Sequence, residues 1–86
     1  MVGIRVETKV LIVPWSKFIE IAEDSRGLGI FMVRRDELSV KAVVGRFASE
    51  KTCNNERELD ETVKTLRRLN FAEVLDIADL TVWLAR

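Results

Sequence analysis

The stretch GIFMVRRDELSVKAVVGRF, residues 29–47, limits the folds open to this chain more than any other. Two runs rich in β-branched and aromatic residues flank the charged segment RRDEL. They read as antiparallel strands over residues 29–34 and 38–47. Side chains alternate across a strand, so one residue of register decides which set faces the core. With Arg35, Asp36 and Glu37 as the loop, Met32 opposes Val40 and Ile30 opposes Ala42 on the core side. Phe31, Val33, Arg35, Lys41, Val43 and Phe47 then share the other face. With only Asp36 and Glu37 in the loop, Val33 opposes Val40 and Phe31 opposes Ala42 in the core, and Met32, Arg34, Ser39, Lys41 and Val43 turn outward. Asp-Glu lacks the asparagine or glycine that tight two-residue turns favour, so the three-residue loop is the expected one.

The flanking sequence supplies the rest of a small domain. VGIRVETKVLIV alternates with period two, which predicts a strand over residues 2–13, stopped by Pro14 at the first turn of a helix. In that helix Trp15, Phe18, Ile19 and Ala22 form one apolar stripe, Trp15 as a core anchor, and Gly27 is placed for a left-handed C-cap. ASEKTCNN reads as a polar loop that leaves Cys53 a partly exposed free thiol. Asn55 and Glu58 have capping-box spacing, with acids in the first turn and Lys64, Arg67 and Arg68 toward the end, as the helix dipole favours. Leu59, Thr62, Val63, Leu66 and Leu69 give this second helix its buried stripe, and Asn70 is its left-handed cap. The last segment predicts a short hairpin, residues 72–76 and 80–85, with Trp83 on a sheet face or edge. The expected fold is therefore α+β: one domain over residues 1–86, element order β-α-β-β-α-β-β, an antiparallel-rich sheet with two helices on one face.

Composition removes most catalytic chemistries. The chain has no histidine and one cysteine, so no Ser-His-Asp or Cys-His pair, no thiolate cluster and no His-bearing zinc set exists. Neither a dinucleotide fingerprint nor a phosphate loop occurs. The acids at Asp36, Glu37, Asp76 and Asp79 sit at predicted turns, where they are favoured for backbone reasons. A non-enzymatic protein is expected, without cofactor or metal. No apolar run is long enough for a membrane helix, Arg5, Glu7 and Lys9 interrupt any secretion signal, and a lone cysteine suits a reducing compartment, so a cytoplasmic location is expected.

Fourteen basic and 14 acidic side chains cancel, so a global attraction to nucleic acid is missing. Residues 30–48 nevertheless carry Arg34, Arg35, Lys41 and Arg46 against Asp36 and Glu37. In the favoured register an outer face combines Phe31 and Phe47 with Arg35, Lys41 and Arg46, joined by Arg5 and Lys9 if the first strand lies alongside. Rings that stack on bases beside cations that track phosphates make a single-stranded DNA or RNA surface of little sequence preference. The same face carries Val33, Val43, Leu11 and Val13, more apolar surface than water tolerates, so it is equally readable as the subunit interface of a homo-oligomeric assembly module. Neither helix has the basic exposed face of a double-stranded DNA reader.

The layout, with abundant Ile, Val and Leu, no glutamine and more arginine than lysine, has a thermophilic cast. Together with the sheet face of Phe31, Arg35, Lys41, Arg46 and Phe47, it loosely resembles the archaeal ThermoDBP-like single-stranded nucleic-acid-binding proteins. That resemblance covers layout and no diagnostic motif. It implies a cleft between sheet and helices that takes single strands, often within an oligomer.

Overall fold

The computed structural model describes residues 4–5, 11–25, 29–75 and 77–78. They form β1 (Ile4–Arg5), β2 (Leu11–Ile12), α1 (Trp15–Asp24), β3 (Gly29–Arg34), β4 (Ser39–Val44), β5 (Phe47–Thr52), α2 (Glu56–Arg68), β6 (Ala72–Glu73) and β7 (Ile77–Ala78). The fold is α+β with two helices. Its main sheet has five strands in the order β2-β5-β4-β3-β6. The central pairs, β3 with β4 and β4 with β5, are antiparallel, whereas β2 joins β5 and β6 joins β3 in parallel, so the sheet is mixed.

The hairpin adopts the register opposite to the expected one: Val33 pairs with Val40, Phe31 with Ala42 and Arg34 with Ser39. The connection is a four-residue turn, Arg35–Leu38, closed by Glu37 N–H to Arg34 O at 3.2 Å and Leu38 N–H to Arg35 O at 3.3 Å. Leu38 takes the left-handed region, φ 51°. Four-residue loops of this kind shift the pairing by one relative to a three-residue loop. Partners across a ladder share a face. Phe31, Val33, Val40, Ala42 and Val44 therefore point one way, and join Phe18 and Ala22 of α1 and Leu59 and Leu66 of α2 in the core. Both helices lie on that face.

A second difference is β5, which occupies most of the expected polar loop. Gly45, at φ +59°, starts a two-residue turn that pairs Val44 with Phe47, the glycine-first turn of tight hairpins. The single strand expected over residues 38–47 is thus cut at Gly45. The polar side chains of β5 are accommodated, since Ser49 Oγ donates to Val13 O at 2.7 Å and Lys51 Nζ lies 4.0 Å from a Glu58 carboxylate oxygen. Of the strand expected over residues 2–13, the two described pieces take different partners: β1 pairs with β7 in a two-stranded sheet and β2 pairs with β5, while residues 6–10 lie outside the described residues. Of the expected terminal hairpin, residues 72–73 form β6, paired with β3, and residues 77–78, expected at the turn, form β7, paired with β1. Residues 80–85, with Trp83, and the Gly27 cap lie outside the described residues. α1 ends at Asp24, where Ser25 Oγ donates to Ala22 O at 2.8 Å.

α2 follows its local signals closely. Asn55 Oδ1 accepts the Glu58 N–H at 2.8 Å. At the other end Asn70, at φ 67°, closes a Schellman motif: Phe71 N–H donates to Leu66 O at 3.0 Å and Asn70 N–H to Arg67 O at 2.9 Å. The motif delivers Phe71 into the core, where its ring lies edge-on to Phe18 with centroids 6.0 Å apart. Glycine at position 29 is what admits that ring, because a Cβ there would overlap the Phe71 side chain. Gly29→Ala is therefore expected to lower stability by about 1–3 kcal/mol, the usual range for overpacking. Urea denaturation checks this, with a lower midpoint at unchanged m-value. Removing the cap with Asn55→Ala is expected to cost about 1 kcal/mol in the same measurement.

Candidate functional site

The observed register disperses the residues expected to form a stacking and phosphate-tracking surface. Phe31 is fully buried on the helix side of the sheet, 0% exposed, with the Arg67 guanidinium carbon 5.7 Å from its ring centroid. Lys41 points to the opposite face and is only 5% exposed, in register with Met32 and Glu50. Neither presents itself to water, and both are corrected as site residues. The cause is the one-residue difference in pairing, which turns Phe31 inward.

Arg35 is exposed at the β3–β4 turn but engaged by α2, its guanidinium 3.2 Å from Asp60 and 3.8 Å from Glu56. Arg46 is exposed at the β4–β5 turn. The two turns stand at opposite ends of the six-residue β4, roughly 20 Å apart at strand rise. Phe47 is half-buried against the core on the helix side. Of Arg5 only the backbone position on β1 is described, and Lys9 lies outside the described residues. No open plane in the described structure gathers these rings and cations together, so the residues carrying the ThermoDBP-like resemblance do not share one surface.

Of the apolar residues expected at a subunit interface, Val43 is interior at 7% exposure, Val33 and Val13 are half-buried against the core, and Leu11 is exposed at 51%. All six positions of β4 are buried. Both sides of the central strand are thus interior in the single chain.

What the chain does expose is an apolar corner at one sheet edge. Leu11 and Ile12 on β2 are 51% and 42% exposed. Leu11 N–H donates to Arg46 O at 2.7 Å and Val13 N–H to Ala48 O at 3.0 Å. In such a ladder the intervening Ile12 turns its N–H and C=O away from β5, toward the edge. Leu11 is in register with Phe47. Beside Phe47 opens a cleft of about 390 Å³, lined by Ile21 of α1 and by Val44, with Asp24 and Arg46 among the residues around it. A second cleft, about 260 Å³, lies between the helices, with Trp15 and Ile19 of α1 facing Lys51, Glu58 and Glu61. Trp15 there stacks on Phe18, centroids 5.5 Å apart, so it is a half-buried anchor of the core.

Cys53 is buried rather than partly exposed, 5% accessible. Its N–H donates to Leu38 O at 2.7 Å. Its Sγ lies 3.7 Å from Thr62 Oγ1, whose own proton goes to Glu58 O at 2.9 Å. The thiol is therefore the donor to Thr62 and is held beneath α2. Among the described residues no three Asp, Glu or Cys side chains form a metal-binding group, and no helix is long and apolar enough to cross a membrane. Comparison with known protein families, with curated proteins and with solved structures finds no match to this chain.

The burial of Cys53 sets an expectation for its chemistry. A disulfide reagent should leave the native thiol unmodified over the time in which the urea-unfolded chain reacts completely. Rapid labelling of the native protein, followed spectrophotometrically, would contradict the observed placement.

Proposed function

We propose that this protein is a homo-oligomeric association module, a small non-enzymatic domain whose copies join through the apolar corner formed by β2, the β4–β5 turn and the end of α1. The observation that carries this reading is the exposure of Leu11 on an edge strand beside Phe47 and an apolar cleft, with Ile12 exposed on the other face of the same strand, whereas most other described large apolar side chains are enclosed. Among the described residues Leu75, 67% exposed after β6 at the other edge, is the one exposed large apolar side chain there. Scattered single exposures need no explanation, whereas a contiguous patch at an edge with free backbone groups is a docking surface.

Size and charge support the same reading. A domain of 86 residues buries only about 60–65% of its unfolded surface, so covering the corner adds to a thin margin. Zero formal charge leaves no net repulsion between copies. Nucleic-acid binding across the sheet face has lost the support of Phe31 and Lys41, and four of the described arginines, Arg34, Arg35, Arg57 and Arg67, each face a carboxylate.

Sedimentation velocity tests the proposal. The wild-type chain is expected to form a dimer or larger species whose population rises with concentration, and Leu11→Asp to shift it to monomer while circular dichroism stays native. A wild type that remains monomeric at all attainable concentrations would overturn it. Val43→Asp, by contrast, is expected to unfold the chain rather than dissociate it, because Val43 is interior.

A further inference from the structure

The charges beside the apolar cleft indicate what fills it. Most described arginines are held within the chain: Arg34 by Asp36 and Glu37, Arg35 by Glu56 and Asp60, Arg57 by Glu61, and Arg67 by Glu73. Arg46 and Asp24 both line the cleft and are both exposed, yet among the described residues neither forms an ion pair, with the other or with any neighbour. Asp24 is moreover the last residue of α1, which has no basic residue in its final turn. An acid there opposes the helix dipole, so local stability does not account for it. One cation and one anion beside an apolar hollow are complementary to the same pair turned through a half-rotation.

We infer that the occupant of the cleft is a second copy of this chain, docked about a two-fold axis through the cleft so that Arg46 of each copy meets Asp24 of the other. An isologous contact requires a patch that complements itself. This corner does so twice, once through apolar surface from Ile21, Phe47 and the neighbouring Leu11, and once through the paired charges. The arrangement closes on two copies. Charge pairs at such a rim set orientation and exclude wrong partners more than they add affinity. The inference rests on the association reading above, and it fails separately from it.

The test uses full-length chains carrying one reversed charge each, read by native mass spectrometry and sedimentation. Arg46→Glu alone sets Glu against Asp24 at both contacts, and Asp24→Lys alone sets Lys against Arg46. Each homodimer is expected to weaken by about tenfold or more. Mixing the two variants should restore a one-to-one heterodimer to within about threefold of wild type, since both contacts are again between opposite charges. Raising salt should narrow the difference between single variants and mixture. Neither residue is in the core, and Asp24→Lys replaces the acid by the charge that the end of α1 prefers, so folding is preserved. Leu11→Asp serves as the apolar control.

Association lost in Leu11→Asp but unchanged in both charge variants would overturn the two-fold pairing and leave the association module standing. Weakened single variants that do not rescue each other on mixing would likewise overturn it. A monomeric wild type would overturn both.

Discussion

The register between β3 and β4 is the constraint from which the rest of the structure follows. It places Phe31, Val40, Ala42 and Val44 under the helices and sends Met32, Lys41 and Val43 to the opposite face. A slip of one residue would direct Lys41 and Met32 at α1 and α2 and expel Phe31, the largest fully buried side chain of the sheet. The turn that enforces this pairing holds Leu38 at φ 51°, a conformation that costs a bulky L-residue roughly 1–2 kcal/mol. The surroundings offset that cost. The Leu38 side chain packs on the core, and its carbonyl accepts the Cys53 N–H at 2.7 Å, which ties the turn to the end of β5. The strained residue thus joins the hairpin to the strand leading into α2.

Legibility in the sequence divides along the range of the interactions. α2 was readable nearly residue by residue, because its cap at Asn55, its charge order, its stripe and the left-handed Asn70 all lie within a few positions of one another. The hairpin's existence was readable for the same reason, but its register was not. It depends on Leu38 occupying a left-handed position that side-chain chemistry assigns to glycine or asparagine, and what secures it there is Cys53, a distant residue. β5 had a signal, the Gly45-Arg46 pair, masked by the unbroken alternation of Val43, Val44 and Phe47 around it. Its polar residues look like loop until Ser49 is seen bonded to Val13 O, 36 positions away. The parallel additions of β2 and β6 are likewise set by tertiary contacts that no window of sequence contains.

The candidate site illustrates the same division. The sequence suggested a surface by counting cations and rings within residues 29–47, and those residues are indeed close along the chain. Alternation across the sheet then separates Phe31 from Lys41, and strand length separates Arg35 from Arg46. Arg46 and Phe47 alone remain at the corner, where they acquire neighbours from β2 and α1 that the hairpin sequence does not reveal. Exposed ion pairs such as Arg35 with Asp60 contribute little to stability, but they occupy positive heads that a phosphate backbone would need.

An open sheet edge with apolar side chains invites unlimited strand addition, and this fold restrains it by geometry. β2 offers the outward backbone groups of Ile12 and then meets Pro14, which has no N–H to give and begins the passage into α1. The proposed association draws instead on the side chains at the corner, Leu11 and Phe47 with the cleft beside them. These form a compact patch off the end of the sheet rather than a ladder along it. A ladder propagates, because each added strand presents a new edge. A patch that complements itself about a two-fold axis is consumed when two copies meet, so in the proposed dimer the apolar corner would no longer be available for aggregation.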